Sequence, residues 1–189
     1  MRSGHSNARV VAAAVRGDEA AWSHIVDRYA GLVWAIARNH RLSSGDAADV
    51  VQATWLRLVE HLADIRNADG IGAWLATTAR REALLTRRRA ARCEPSDDID
   101  VAADTPGVDF DLLREERLLA VAAALERLPR RDQALLRLLT LDRAPSYEEI
   151  SAALAMSIGS IGPTRGRALE RLRRELSRAG AHDLVADVV

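Results

Sequence analysis

The stretch PSYEEISAALAMSIGSIGPTRGRALERLRREL, residues 145–176, decides how the second half of the chain folds. Ser146 precedes an apolar-periodic run, and Glu149 follows three residues on. This is the spacing of a capping box, in which a hydroxyl and a carboxylate satisfy each other's backbone amides at a helix start. Tyr147, Ile150 and Leu154 recur at helical spacing and supply the inner face. Ala155, Met156 and Ser157 make a short turn, and Ser157 can cap the next helix. That next helix is longer and basic, with six arginines and two acids from Pro163 to Arg178. Short helix, tight turn and basic helix, in that order, predict a helix-turn-helix, whose second helix enters the major groove of DNA.

The electrostatics agree. Duplex DNA is densely anionic, and a guanidinium donates two parallel hydrogen bonds to phosphate or guanine. With Ile161, Ala168, Leu172 and Leu176 facing inward, Arg167, Arg171 and Arg174 fall on the outer face. Gly159, Gly162, Pro163 and Gly166 crowd the first turns. Pro163 lacks an amide donor, so it is expected to bend the helix or to mark where its regular part begins. The glycines would let the backbone approach DNA closely. The competing reading is a solvated helix balanced by Glu170 and Glu175. The turn in front of the helix favours DNA contact.

Working outward, residues 93–111 carry seven acids, no base and two prolines, with no helical period. Such a composition reads as an acidic, flexible linker. Helices resume after it over LLREERLLAVAAALERL (112–128) and RRDQALLRLLTL (130–141). Before it, AAWSHIVDRYAGLVWAIARNH (20–40) places Trp22, Ile25, Val26, Tyr29, Leu32, Val33 and Ile36 on one helical face. A short helix over 8–16 ends near Gly17, and Asp18 is placed to cap its successor. After a turn at 43–45, Val51, Trp55, Leu58 and Leu62 form a seam. Residues 64–70 read as a loop. Ile71, Trp74, Leu75, Thr78 and Ala79 then face inward on a helix whose last turns hold Arg87, Arg88, Arg89 and Arg92. Trp22, Trp34 and Trp55 all fall on apolar faces and are expected in the core. No segment alternates like a strand. The fold class is all-α, with two small helical domains: 8–92, the linker 93–111, 112–178, and a tail from 179 to 189.

Composition excludes several functions. The 189 residues hold 27 bases, all arginine, and 27 acids, so bulk charge names no partner. Cys93 is the lone cysteine, which rules out an intrachain disulfide. It sits beside Glu94 and Asp97, which disfavour a thiolate. The five histidines join no cysteine at metal-ligand spacing, and no catalytic constellation forms. No metal or cofactor is expected, and no enzyme activity. No apolar run reaches the roughly 18–20 residues of a membrane span, and VVAAAV (10–15) is too short for a secretory leader. The expected location is the cytoplasm.

Four segments resemble a known family, the bacterial extracytoplasmic-function sigma factors. AAVRGDEAAWSHIVDRYAGLVWAIARNH (13–40) looks like their opening, and DAADVVQATWLRLVEHL (46–62) is similar to their polymerase-clamp-docking segment. IGAWLATTARREALLTRRR (71–89) resembles their promoter-melting helix, and residues 128–173 resemble their fourth-region helix-turn-helix. The resemblance runs over about residues 8–178 and is specific because four motifs keep their order. It implies a transcription initiation factor. Its first domain would bind the clamp coiled coil of core RNA polymerase and capture the unpaired minus-ten strand. Its second would meet the flap and read the minus-thirty-five duplex.

The resemblance also implies residues. Asp49, Gln52 and Arg57 would dock on polymerase, with Ala53 where relatives usually carry an acid. Arg66, Asn67, Trp74, Arg80, Arg81, Arg87 and Arg88 would hold the minus-ten strand, since single strands are bound by aromatic stacking and a cationic groove. Arg81 stands where many relatives have asparagine, and Trp74 reads more readily as core. Ser160, Thr164, Arg165, Arg167, Arg171 and Arg174 would meet the minus-thirty-five duplex, with Arg167 alone matching the usual base-reading set. Core polymerase, promoter DNA and an anti-sigma protein are the implied partners. Two other readings stay open: a stand-alone helix-turn-helix regulator that binds an operator without polymerase, and a helical adaptor that sequesters a protein.

Overall fold

The computed structural model describes residues 4–91 and 112–181. The acidic linker 93–111 lies outside them, as does most of the tail. Every regular element among the described residues is a helix: α1 (Gly4–Val15), α2 (Glu19–Asn39), α3 (Ser44–His61), α4 (Ile71–Ala90), α5 (Leu112–Glu126), α6 (Arg130–Leu139), α7 (Tyr147–Leu154) and α8 (Ile158–Arg178). The expected loop after α3 is tightened into two single 3₁₀ turns, Leu62–Asp64 and Ala68–Gly70.

Side-chain caps fix the starts of α2, α3 and α7, whereas Ser157, expected to cap α8, makes no side-chain capping bond. Asp18 accepts a hydrogen bond from the Ala21 amide at 3.0 Å, and Ser43 accepts one from Asp46 at 3.1 Å. The capping box forms in full: the Glu149 amide donates to Ser146 Oγ at 3.2 Å, and the Ser146 amide donates to Glu149 Oε2 at 2.7 Å. Gly17, at φ +85°, takes the left-handed turn that ends α1 at no steric cost.

The first core gathers Ile25, Tyr29, Leu32, Val33 and Ile36 of α2, Leu58 of α3, Leu62, and Ile71, Leu75 and Ala79 of α4. The Trp22 indole donates to the Ala14 carbonyl at 3.0 Å and ties α1 to α2. Three aromatic or apolar assignments change. Trp34 is 40% exposed, Val26 39% and Tyr147 42%, because each lies at the edge of its helix's apolar arc. The inner line of α3 runs through Ala47, Val50, Thr54 and Leu58, one residue round from the expected seam, and leaves Val51 and Trp55 half-buried.

In the second half, Ala124, Leu128, Leu136, Ala168, Leu172 and Leu176 form one core. Leu135, Ile150, Met156 and Ile161 form another beneath the turn. The expected inward set of α8 is buried. The helix is continuous from Ile158 past Pro163, so its regular part does not begin at the proline. The two halves are not merely tethered. Leu138 of α6 and Ala153 of α7 are buried in the first half's core, and α4 and α7 make the most extensive helix–helix contact in the described chain.

Candidate nucleic-acid interface

The helix-turn-helix is held by its turn. Ala155 caps α7 in the left-handed region, at φ 49° and ψ 51°, and Met156 is buried below it. The Met156 amide donates to the Ser151 carbonyl at 3.2 Å, and Ser151 Oγ returns a 2.6 Å hydrogen bond to the Met156 carbonyl. This presents the start of α8 to solvent, with Ile158 47% exposed. Gly159, Gly162 and Gly166 face open space, leaving a low, nearly featureless ridge.

The proposed duplex-reading residues divide. Arg165, Arg167 and Arg174 are exposed. Thr164 is buried on the inner face, three residues after Ile161 and four before Ala168, so it is removed from the set that reaches DNA. Its hydroxyl is 3.4 Å from Arg167 Nη2, which steadies that arginine. Ser160 is half-buried and donates to the Ser157 carbonyl at 2.7 Å. Arg171 is ion-paired with Asp132 of α6, whose side chain is only 5% exposed. It pins α8 to α6 rather than standing free on the outer face.

A second basic surface lies at the end of α4, where Arg81, Arg87, Arg88 and Arg89 are exposed. Ala83 packs with Ala37, Ala47 and Val50, which brings this part of α4 to the end of α2. There, Arg80 Nε and Asn39 Nδ2 are buried donors with no hydrogen-bond partner. Burial lowers the pKa of His40 below the usual histidine range, and the nearby Arg87 and Arg80 lower it further. Asn39 and His40 were not visible as site residues in the sequence, since their proximity to α4 is tertiary. Trp74 is half-buried, packs on the first core and faces the His61 ring at 6.4 Å between centroids. Arg66 and Asn67 are exposed on the 62–70 segment, where Asn67 Oδ1 accepts a hydrogen bond from the Asp69 amide at 3.1 Å.

A third surface lies on α3. Asp49 and Gln52 are exposed, as expected. Arg57 is exposed as well, and its guanidinium pairs with Glu82 of α4 at 2.6 Å. Leu56 and Val59, which the sequence reasoning passed over, are 58% and 61% exposed. Positions 49, 52, 56 and 59 follow steps of three and four, so they line one face of the helix.

Residues 25–93 match the family model described as Sigma-70 region 2. The chain is 31% identical over 172 residues to the ECF RNA polymerase sigma factor SigE of Mycolicibacterium smegmatis, covering 86% of this chain and 65% of that one. It is 27% identical over 168 residues to the ECF RNA polymerase sigma-E factors of Salmonella typhimurium and Escherichia coli K12, covering 83% of this chain and 87% of each. Residues 25–93 thus carry a sigma-70 region 2 domain, and the chain is similar to extracytoplasmic-function sigma factors over most of its length. It also shares its fold with a solved structure, CnrH in complex with the cytosolic domain of CnrY. That match has a TM-score of 0.58 and 22% identity, over 89% of this chain and 96% of that one. The chain spans just under two thirds of its mycobacterial relative's length. No helix among its described residues is long and apolar enough to cross a membrane.

Proposed function

We propose that the chain is a sigma factor that binds core RNA polymerase through the outer face of α3 and directs it to promoters, where it initiates transcription without catalysing a reaction itself. The observation that carries the reading is the stripe Asp49–Gln52–Leu56–Val59, an apolar pair flanked by polar groups and left uncovered by the rest of the described chain. Exposed apolar residues rimmed by polar ones mark protein interfaces. Arg57 braces α3 against α4 from the side. Work with polymerase places the protein in the cytoplasm. An anti-sigma protein is a further partner on this reading, by analogy with the complex named for CnrH.

The test is a titration of core polymerase. Leu56→Asp with Val59→Asp should weaken binding by at least about 2 kcal/mol, roughly thirtyfold in Kd, as loss of a buried apolar anchor does. Unchanged affinity with an intact circular-dichroism spectrum would remove α3 from the docking surface. A stand-alone regulator would instead bind duplex without polymerase.

On promoter DNA, the arginines should separate by position. Arg167→Ala should cost about 1–3 kcal/mol and relax preference at one base pair of the minus-thirty-five element. Arg174→Ala, a turn or two further from the groove, should weaken all sequences alike and lower the salt slope by about one. Holoenzyme binding to promoter variants at several salt concentrations measures both. Arg81, Arg87 and Arg88 serve the unpaired minus-ten strand in the same scheme, with Trp74 contributing its exposed edge.

A further inference from the structure

The start of α8 carries an exposed apolar side chain where a DNA-reading helix would be expected to carry polar ones. Ile158 is 47% exposed at the first position of the helix. The hydroxyls nearby are spent. Ser160 is turned back on the Ser157 carbonyl at 2.7 Å, and Thr164 is buried. Gly159, Gly162, Pro163 and Gly166 follow at steps of three, one and three, so they share the outward side of the helix, and all four are exposed. A Cβ added at any of these glycines would meet nothing within 4 Å. The outward side of these turns is therefore apolar and low.

Charge identifies what covers it. Arg165 and Arg167 are exposed on its two edges, and Arg174 is exposed further along. An apolar strip bordered by cations suits a duplex, whose phosphates meet the edges while its bases meet the centre. It also continues the helix-turn-helix surface already described. A helix with its side chains is about 10–12 Å across, close to the roughly 12 Å width of the major groove. Without side chains on one side, the backbone can move inward until short apolar groups reach the groove floor. The line ends at Glu170, which is exposed and which phosphates repel, so close approach is confined to the turns before it.

The apolar feature of the major groove is the C5-methyl of thymine. We propose that α8 reads its promoter element chiefly through thymine methyls, contacted by Ile158 and the Pro163 ring, with Arg167 as the one side chain that hydrogen-bonds a base and Arg165 left to phosphate; this rests on the promoter function proposed above. Arg167 suits that role because its Nη2 is steadied 3.4 Å from the Thr164 hydroxyl.

The test uses the full chain assembled with core polymerase to select duplexes from a library randomised at the minus-thirty-five element. The selected duplex is rebuilt one base at a time. Uracil for thymine removes only the methyl group, and a 7-deazapurine for a purine removes only the N7 acceptor. Uracil should weaken binding about threefold to fivefold at each contacted thymine, the effect of exposing one methyl group. Ile158→Ala should erase one of these uracil effects. A 7-deazapurine should matter at a single position, and Arg167→Ala should erase that effect. Gly162→Ala and Gly166→Ala should raise Tm, since alanine favours a helix interior and meets no neighbour here. The same two variants should weaken promoter binding severalfold by holding the backbone off the groove floor, whereas a merely structural role for the glycines would move stability and binding together. A selected element without thymine, or indifference to uracil at every thymine, would overturn the proposal. So would sensitivity to 7-deazapurine at several positions, or unchanged binding in both glycine variants. Each of these results leaves promoter binding itself standing. A holoenzyme that selects no element from the library removes the promoter function, and the proposal with it.

Discussion

Arg171→Ala is expected to destabilise the second half of the chain by about 3 kcal/mol. The loss should appear in urea unfolding before DNA is added. Asp132 sits in the first turn of α6 with its side chain 5% exposed, and Arg171 of α8 is its ion-pair partner. Removing the arginine leaves a carboxylate in the interior without a cation, which costs far more than the pair contributes. The guanidinium is 41% exposed, so water tempers the effect and holds it at the lower end of the range for buried pairs. A small helical unit has only a few kcal/mol to lose. Asp132→Ala combined with Arg171→Ala should recover most of the stability, because no buried charge is then orphaned. The double variant separates structure from recognition. Assembled with polymerase, it should bind promoter with the wild-type salt slope. A slope lower by about one would show that Arg171 meets a phosphate as well as Asp132.

How much of this was legible follows from the range of each interaction. Caps are local, so Asp18, Ser146 and Glu149 declared themselves by spacing and perform as expected. The inward set of α8 was legible for the same reason. Thr164 was legible too, by its spacing from Ile161 and Ala168, but the family resemblance placed it on the DNA face. Trp34 and Tyr147 were assigned inward because periodicity gives a direction and not the width of the buried arc. The α3 seam slipped by one residue because Ala47, Val50 and Thr54 are small or polar, while the larger Val51 and Trp55 dominate the pattern. Arg171 could not be read as a pin, since Asp132 lies 39 residues away in sequence. The contact between the halves was the least visible. Gly72, Ala152 and Ala153 carry almost no hydrophobic signal, yet it is their small size that lets α4 and α7 meet.

Leu56, Leu58 and Val59 look alike in sequence, and their substitutions should not behave alike. Leu58 is 0% exposed in the first core, whereas Leu56 and Val59 are 58% and 61% exposed. Leu58→Ala should cost about 2–5 kcal/mol, the transfer free energy of the lost methyl groups plus the cavity they leave. Leu56→Ala and Val59→Ala should each stay within about 0.5 kcal/mol of wild type, since they remove surface that water already reaches. Polymerase binding should show the reverse order. The two surface variants should weaken it in the fully folded protein. Leu58→Ala should weaken it only as far as the folded fraction falls, so that lowering the temperature below its unfolding transition restores affinity. Thermal unfolding of the three single variants, followed by polymerase titration at two temperatures, separates these effects. The contrast depends on the rotation of α3 about its own axis, about 100° per residue. Equal destabilisation by Leu56→Ala and Leu58→Ala would mean that α3 is turned differently. The stripe from Asp49 to Val59 would then no longer be a surface on which a polymerase could dock.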